Sequence, residues 1–346
     1  MFTVGLDVHQ RQSTMCVLNQ DGRIVNERKV EGSFVAVAEA LRGIEAPIQV
    51  CYEASCGAGK LHDLLAGVAG RVVVAHPGQV RLIFRSKKKN DRVDARKLAK
   101  LLYLDEVPPV YVPGVDVRAW RGLIEHRRRL IDKRTRTKNS LRAIVRSHGV
   151  LPPRRPGLWT AKGRAWLAGL PLPTETESLK RDMLLEELVY FDGAVARVDA
   201  ALNRIAAGQP GVALLRTIPG IGARTAEAVA AYIDRPERFG RIKAIGAYFG
   251  IVPSQDASGP VNRLGHITRE GPATVRKLVT EAAWQAVRRC DEARAFFERV
   301  MGDDPGRRKI ALVATAHWLL RVMLSMLKSG EACRFQSKAQ PARRAA

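Results

Sequence analysis

The alternation of apolar and polar positions over residues 1 to about 112 predicts a mixed arrangement of strands and helices. Short β-branched and apolar runs of period two indicate strands, and apolar residues three and four positions apart indicate helices. Asp21-Gly22, between two such runs, is typical of a β-hairpin turn. The predicted elements are strands at residues 3–8, 13–18, 24–30, 48–52 and 71–75, and helices at residues 34–44 and 59–68.

The order of these elements indicates a particular α/β fold. Three antiparallel strands come first, and an alternation of helix and strand follows. This is the order of the RNase H-like fold, whereas a generic doubly wound sheet would lack the opening meander. We therefore predict an RNase H-like α/β domain for residues 1–112.

A different pattern occupies residues 113–207. Between residues 118 and 146 there are eleven Lys or Arg against two acids, with apolar residues interleaved, which predicts a basic amphipathic helix. A second helix is predicted from about residue 177, with apolar residues spaced alternately by four and three. This heptad spacing indicates a coiled coil or a helical hairpin. We favour self-association, with an intrachain helical bundle as the alternative. The heptad residues are Leu184, Leu188, Phe191, Val195, Val198, Leu202 and Ile205.

Residues 208–330 are predicted to form a third, mostly α-helical unit. Helices are predicted at residues 225–233, 274–289 and 309–327, with a loop at residues 256–260. The segment from residue 263 to residue 276 is basic. Residues 331–346 are polar and basic, and we expect a disordered tail there.

Charge restricts the class of partner. The chain carries 58 Lys and Arg against 34 Asp and Glu, a formal net charge of +24. Such a balance favours a polyanion, because binding releases condensed counterions. Ribosome-associated and membrane-surface proteins are also basic, but the clustering of charge along this chain favours nucleic acid.

Cysteine use and hydropathy predict a cytoplasmic protein without membrane contact. The five cysteines are scattered, with no Cys-x-x-Cys pair, which indicates neither structural zinc nor a disulfide framework. The first ten residues lack the pattern of a signal peptide, and we find no apolar run that approaches about 18 residues.

Four carboxylates are candidates for metal-dependent chemistry. Asp7 lies on the first predicted strand, Glu53 ends the strand expected beside it, and Asp91 and Asp94 share one face of a helix. Converging carboxylates need cations, and their oxygens suit Mg²⁺ or Mn²⁺, which support phosphoryl transfer. Each acid also has a structural interpretation: Asp7 could end its strand, Asp91 could cap the helix, and Asp94 could pair with Arg92 or Lys97.

Two further segments carry candidate chemistry. Gly220-Ile221-Gly222 resembles a helix-hairpin-helix phosphate clamp, although it also fits an ordinary tight turn. Ser258 stands in a Gly- and Pro-bounded segment before a run of cations, where a serine could attack a phosphodiester, although Ser-Gly pairs are common in turns. The predicted nucleic-acid contacts are Lys87, Lys88, Lys89, Arg92, Arg127, Arg128, Arg129, Gly220, Gly222, Arg263, Arg269, Arg276 and Lys277.

An ordered set of short motifs resembles the DEDD transposases of bacterial insertion sequences, the group of bridge-RNA-guided recombinases. The resemblance extends from Asp7 to about Leu327. Each motif is weak alone, but the set in this order is specific. The motifs are Gly5-Leu6-Asp7-Val8-His9, Tyr52-Glu53-Ala54-Ser55, Asn90-Asp91-x-x-Asp94-Ala95-x-x-Leu98-Ala99, Ile218-Pro219-Gly220-Ile221-Gly222 and Ser258-Gly259.

The resemblance implies a RuvC-like N-terminal domain with Asp7, Glu53, Asp91 and Asp94 as its metal-binding tetrad. It also implies a coiled-coil segment and a C-terminal transposase domain whose nucleophile corresponds to Ser258. Several relatives have two serines or following glycines there, so Ser254 is a second candidate. The implied active site is composite, with tetrad and serine from different subunits of a tetramer.

The expected partners are double-stranded donor and target DNA, a non-coding guide RNA and further copies of the chain, in the bacterial cytoplasm at the nucleoid. The expected reaction is Mg²⁺-dependent strand cleavage and exchange. Two alternatives stay open at this point. One is a structure-specific nuclease or junction resolvase with water as nucleophile. The other is an inactive nucleic-acid-binding protein.

Overall fold

The computed structural model describes residues 1–83, 90–155, 157–258 and 261–335. The chain divides into two compact units, Met1–Arg118 and Ala119–Ala346. The predictions made for Lys87, Lys88 and Lys89, and for the tail beyond residue 335, lie outside the described residues. Whether residues 113–207 act as a domain of their own stays a prediction.

The first unit is built on a five-stranded sheet with the order β3-β2-β1-β4-β5. β1, β2 and β3 are antiparallel neighbours, and β4 and β5 run parallel to β1. All five strands were predicted, and their order is the one expected for an RNase H-like sheet. The strands are β1 (Phe2–Val8), β2 (Gln12–Leu18), β3 (Ile24–Glu31), β4 (Ile48–Glu53) and β5 (Arg71–Ala75).

Helices cover both faces of this sheet. α1 (Phe34–Arg42) and α2 (Ala58–Leu65) pack on the face that carries Val4 and Leu6. α4 (Asp91–Tyr103), which follows the short helix α3 (Pro77–Ile83), packs on the opposite face. Because side chains alternate along a strand, the residues of β1 on the α4 face are Thr3, Gly5 and Asp7.

Gly5 allows α4 to lie directly on β1. A Cβ atom at Gly5 would be 2.1 Å from the carbonyl oxygen of Ala95 and 2.3 Å from the amide nitrogen of Ala99. Both atoms belong to the backbone of α4 and cannot move away as a flexible side chain would. The small side chains of Ala95 and Ala99 are themselves fully buried in this contact. The position of α4 on the sheet therefore depends on the absence of a Cβ atom at residue 5.

The second unit is mostly helical, as predicted, and contains one β-hairpin. α5 begins within the first unit and continues into the second. The elements are α5 (Val115–Ser147), α6 (Ala161–Ala168), α7 (Glu175–Ala207), α8 (Pro210–Leu215), α9 (Ala223–Ile233), α10 (Ala244–Tyr248), β6 (Pro253–Ser258), β7 (Val261–Ile267), α11 (Ala273–Arg289), α12 (Asp291–Met301) and α13 (Arg308–Ser329). Single 3-10 turns lie at Pro236–Arg238 and Pro305–Arg307.

The heptad seam of α7 packs inside its own chain. α5 and α7 run antiparallel, since Arg127 pairs with Asp199 at 2.6 Å and Arg134 pairs with Asp192 at 3.1 Å. The seam residues are buried or half-buried, and Val195 packs with Leu130 of α5. The observed arrangement is thus the intrachain alternative, and self-association of the protein stays a prediction. A heptad pattern requires a partner helix but does not say whether that helix belongs to the same chain.

Two further expectations for this unit are corrected. Ser258 ends strand β6 rather than standing in a loop, and it pairs with Val261. Residues 331–335, predicted as the start of a disordered tail, pack on the unit: the Cys333 amide donates a hydrogen bond to Thr217 Oγ1 at 3.0 Å, and Phe335 stacks on Trp318. The half-buried side chains of Cys333 and Phe335 pack against the core of the unit and supply this burial.

One helix among the described residues, Pro305–Ser329, is long and apolar enough to cross a membrane by length and composition alone. From the sequence we expected no apolar run of about this length. Half of the apolar window is buried inside the protein, and Leu319, Leu320 and Met323 are fully buried in the core. Core helices of globular proteins have the same character.

Replacing Gly5 tests the contact between β1 and α4. We expect Gly5→Ala to destabilise the protein by about 1–3 kcal/mol or more, because an added methyl group would overlap helix backbone. Gly43→Ala is the matched control, since a Cβ there would meet its nearest atom at 3.6 Å. Thermal unfolding of both variants measures the difference. Equal stability of the two variants would contradict the proposed contact.

Candidate metal centre

Asp7 and Glu53 occupy neighbouring positions on two parallel strands. The register pairs Leu6 with Tyr52, and the next residues along β1 and β4 are Asp7 and Glu53. Glu53 follows Cys51 by two positions, and Cys51 packs against Leu98 of α4. Both acids therefore lie on the α4 side of the sheet, at the ends of their strands. This agrees with the predicted placement of these two acids.

Asp91 and Asp94 lie in the first turn of α4. The cap of this helix is Asn90, whose side chain accepts a hydrogen bond from the amide of Val93 at 2.8 Å. The alternative in which Asp91 caps the helix is therefore wrong. Asp94 pairs with Lys97 at 3.0 Å, one of the structural contacts considered from the sequence. Because α4 lies on Gly5, its first turn is held beside the end of β1.

His9 joins this group, although sequence reasoning gave it no role. Its Nε2 atom lies 3.4 Å from Asp7 Oδ2 and 3.9 Å from Asp91 Oδ1. One ligand atom from each of these three residues lies within 4.8 Å of the others, a spacing that could hold a metal ion. The sequence signal was the position of His9 two residues after Asp7, just beyond the end of β1.

The electrostatics of Asp7 fit a cation site. Burial raises the pKa of Asp7, and the neighbouring carboxylates Asp91 and Asp94 raise it further, while the charge and hydrogen bond of His9 partly oppose this. The negative form is thus disfavoured in the protein alone, and a bound cation would reverse this. Oxygen donors with one imidazole nitrogen are suitable ligands for Mg²⁺ or Mn²⁺. The residues present therefore fit a divalent metal ion.

The predicted nucleic-acid contacts are divided between exposed and internally paired cations. Arg92, Arg129, Arg263, Arg269 and Lys277 are exposed. Lys277 also lies 3.7 Å from Asp132.

Three of the arginines have partners within the second unit. Arg127 pairs with Asp199, and Arg128 lies 3.2 Å from Glu125. Arg276 donates hydrogen bonds to the carbonyl oxygens of Phe249 and Gly271 at 3.2 and 3.0 Å. Their guanidinium groups already have a structural role, and nucleic-acid contact by any of these arginines stays a prediction.

The Gly220-Ile221-Gly222 turn lies where α9 begins. Gly222 is the N-cap of α9 and supplies no side-chain hydrogen bond. Gly220 has φ of +93°, and a Cβ there would be 2.6 Å from the amide nitrogen of Ala286. Gly220 is therefore required for packing of the turn against α11. A cleft of about 410 Å³ beside the turn is lined partly by Gln285 and Arg289.

Ser258 lies at the far end of an exposed hairpin. Every residue of β6 is exposed, as is all of β7 except its half-buried last residue. The register pairs Asp256 with Arg263 and Ser258 with Val261. Paired residues in an antiparallel ladder, and residues two apart, share a face. Ser258, Asp256 and Arg263 are therefore on one side of the hairpin.

Asp7→Asn tests whether burial and neighbouring carboxylates make the ionised form of Asp7 destabilising at the candidate centre. Without divalent metal, we expect this variant to be more stable than the parent at neutral pH by about 0.5–2 kcal/mol, as is common where function requires destabilising groups. Below the ordinary pKa of Asp, near 3.8, residue 7 is neutral in both proteins and the difference vanishes. It grows as pH rises from there to the raised pKa of folded Asp7, because the unfolded chain releases this proton while the folded parent retains it, and it is complete above that pKa.

Thermal melts in chelator across this pH range measure the difference in stability between the two proteins. Melts with added Mn²⁺ measure how much the ion stabilises each of them. The parent should gain stability from the ion, and the variant should gain much less. Asp303→Asn is a control of the same chemistry, since Asp303 is exposed and belongs to the second unit. A pH-independent difference, or equal metal stabilisation, would contradict the assignment of Asp7.

Two family models match the chain. A model for DEDD transposases of the IS110 kind, described as "Transposase", matches residues 4–149 and so includes all four acids. A second, described as "Transposase IS116/IS110/IS902 family", matches residues 212–298, which include the turn at Gly220 and the hairpin that carries Ser258.

Curated relatives agree with these matches. A putative transposase of Sinorhizobium fredii is 25% identical over 81% of this chain and 70% of its own length. The transposase for insertion sequence element IS1111A of Coxiella burnetii is 26% identical over 81% of this chain and 76% of its own. A probable family 20 transposase of Pseudomonas aeruginosa is 27% identical over 71% of this chain and 73% of its own length. The chain therefore belongs to the IS110/IS116 family of DEDD transposases, enzymes that act on DNA.

Proposed function

We propose that this transposase performs divalent-metal-dependent DNA cleavage and strand exchange with Ser258 as its nucleophile, guided by a non-coding RNA from its own insertion sequence. The observation that carries the metal-dependent part is the convergence of Asp7, His9 and Asp91 within 4.8 Å, beside the position of Glu53. We propose Mg²⁺ or Mn²⁺ as the ion, because carboxylate oxygens dominate the donor set.

Different structural features hold the four acids in position in the proposed mechanism. Asp7 and Glu53 are fixed by the register of two buried strands. Asp91 and Asp94 are fixed by the Asn90 cap and by the contact of α4 with Gly5. When bound, a divalent ion would neutralise developing charge on the phosphate oxygens and lower the pKa of an attacking hydroxyl group. Lys97 holds the Asp94 carboxylate in place.

The proposed covalent step uses the Ser258 hydroxyl group. Its Oγ attacks the phosphorus atom, forms a serine–phosphate ester and gives up its proton. The bond from phosphorus to one deoxyribose oxygen breaks, and that oxygen takes up a proton as it leaves. A hydroxyl group of the second strand reverses the step and joins the two DNAs. Arg263, on the same side of the hairpin, would stabilise the additional negative charge.

Exposure of the β6–β7 hairpin supports this assignment. A two-stranded hairpin without a covering layer is marginally stable in water, and a partner surface would complete it. We propose that bound nucleic acid and the acidic tetrad of another subunit are that surface, as the composite active site of a tetramer requires. The net charge of +24 supports simultaneous binding of RNA and duplex DNA.

Replacement of Ser258 tests the covalent mechanism. We expect Ser258→Ala to abolish a protein–DNA adduct on a denaturing gel and to abolish strand exchange, because no nucleophile remains. Binding of DNA measured by gel shift should stay within about fivefold, since an exposed hydroxyl contributes about 1 kcal/mol or less. Ser254→Ala, on the same strand, is the matched control and should retain the adduct.

Other outcomes would replace the proposal. Free nicked ends without an adduct in the parent protein would favour a nuclease that uses water. Loss of the adduct in Ser254→Ala alone would assign the nucleophile to Ser254.

RNA guidance has its own test. We expect transcripts of the non-coding DNA beside the coding region to bind the protein tightly and to direct exchange at sites that match their loops, because base pairing reads sequence in such systems. A transcript of the same fold with scrambled loops is the control and should bind without redirecting exchange. Target choice that is independent of the loop sequence would contradict the proposal.

A further inference from the structure

His9 is placed where an imidazole nitrogen could reach the candidate ion beside the carboxylates. It follows the last residue of β1, and its imidazole turns back to lie 3.4 Å from Asp7 Oδ2 and 3.9 Å from Asp91 Oδ1. Its side chain is 60% exposed, whereas that of Asp7 is 23% exposed. His9 therefore lies on the solvent side of the acids and bridges an acid of the sheet to an acid of α4.

These separations suit atoms that share one ion. With ligand bonds of about 2.1 Å, two ligand atoms lie about 3.0 Å apart at a right angle and about 4.2 Å apart when opposite. The 3.4 and 3.9 Å separations of His9 Nε2 from its two carboxylate neighbours fall between these limits. The imidazole could therefore bind the same ion as Asp7 and Asp91 without a shift of the strand.

We propose that His9 is a direct nitrogen ligand of the divalent ion held by Asp7 and Asp91, and that it shifts the preference of this site from Mg²⁺ toward Mn²⁺. The inference rests on the proposed metal-dependent function. Imidazole is a ligand of zinc, copper, iron and nickel, whereas Mg²⁺ prefers oxygen and sheds its water reluctantly. Mn²⁺ is intermediate and accepts both. A set of carboxylates alone would not discriminate in this way.

The competing role for His9 is a hydrogen bond to Asp7 with no contact to the ion. Such a contact would also hold the carboxylate in place, so loss of activity in a His9 variant would not separate the two roles. The two differ in the identity of the atoms bound to the metal. Magnetic resonance of Mn²⁺ reports this directly, because a coordinated ¹⁴N nucleus modulates the electron spin echo of the ion.

The decisive experiment uses full-length protein loaded with Mn²⁺ alone. We expect the parent to show echo modulation from a coordinated nitrogen, and His9→Gln to lose it while still binding Mn²⁺ roughly tenfold more weakly. His62→Gln, a histidine of α2 on the other face of the sheet, is the matched control and should keep the signal. Because His9 is exposed, the variant should fold and give a cooperative thermal melt in chelator.

Each other outcome refutes a defined part of the proposal. Bound Mn²⁺ without coordinated nitrogen in the parent would refute His9 as a ligand and leave the acidic tetrad intact. Signal that persists in His9→Gln would refute it equally. Failure of the parent to bind Mn²⁺ at all would refute both this inference and the metal-dependent function.

Competition between ions tests the proposed preference. We expect Mn²⁺ to bind the parent more tightly than Mg²⁺, and His9→Asp, which restores an oxygen donor, to reduce the ratio of the two affinities by roughly tenfold. Displacement of Mn²⁺ by Mg²⁺, followed by the resonance signal of free Mn²⁺, measures this ratio. An unchanged ratio in His9→Asp would show that the imidazole does not determine the choice of metal.

Discussion

The direct contact between the backbone of α4 and β1 at Gly5 is the constraint on which the candidate site depends. With any side chain at residue 5, the helix would have to move away from the sheet. At the observed distance, the first turn of α4 brings Asp91 and Asp94 toward Asp7. The Asn90 cap fixes where that turn begins. The positive end of the helix dipole also lies there, which partly offsets the repulsion among the carboxylates.

The same contact creates an electrostatic conflict that the protein tolerates for its chemistry. Asp7 is half enclosed and faces two other acids, so its pKa is raised. His9 and Lys97 relieve part of this repulsion by contacts with Asp7 and Asp94. Neither removes the need for a cation. In the proposed mechanism, the stability of the metal-free protein and its affinity for metal are thus opposed, as is common where ionisable groups are crowded together.

In the second unit, the exposed hairpin packs closely against the rest of the unit at its base. A Cβ at Gly250 would be 2.2 Å from the carbonyl oxygen of Glu270, and one at Gly271 would be 2.1 Å from that of Tyr248. Arg276 donates hydrogen bonds to the carbonyl oxygens of Phe249 and Gly271, one in each of these two segments. The base is therefore closely packed, while the end that carries Ser258 is exposed to solvent. This explains why Arg276, expected from its charge to contact nucleic acid, is found in a structural role.

The amino-acid sequence predicts the five strands, their order and most long helices, because period-two and heptad patterns follow directly from burial on one face. It also identified the four acids, since their residue types and order are local facts. Three features emerged from the fold instead: the α7 seam packs on α5, Ser258 ends a strand, and His9 lies between Asp7 and Asp91. Each of these depends on which surface lies opposite, and a one-dimensional pattern does not contain that information. The resemblance to DEDD transposases was confirmed by the family matches, whereas the close approach at Gly5 that assembles the acids was visible only in three dimensions.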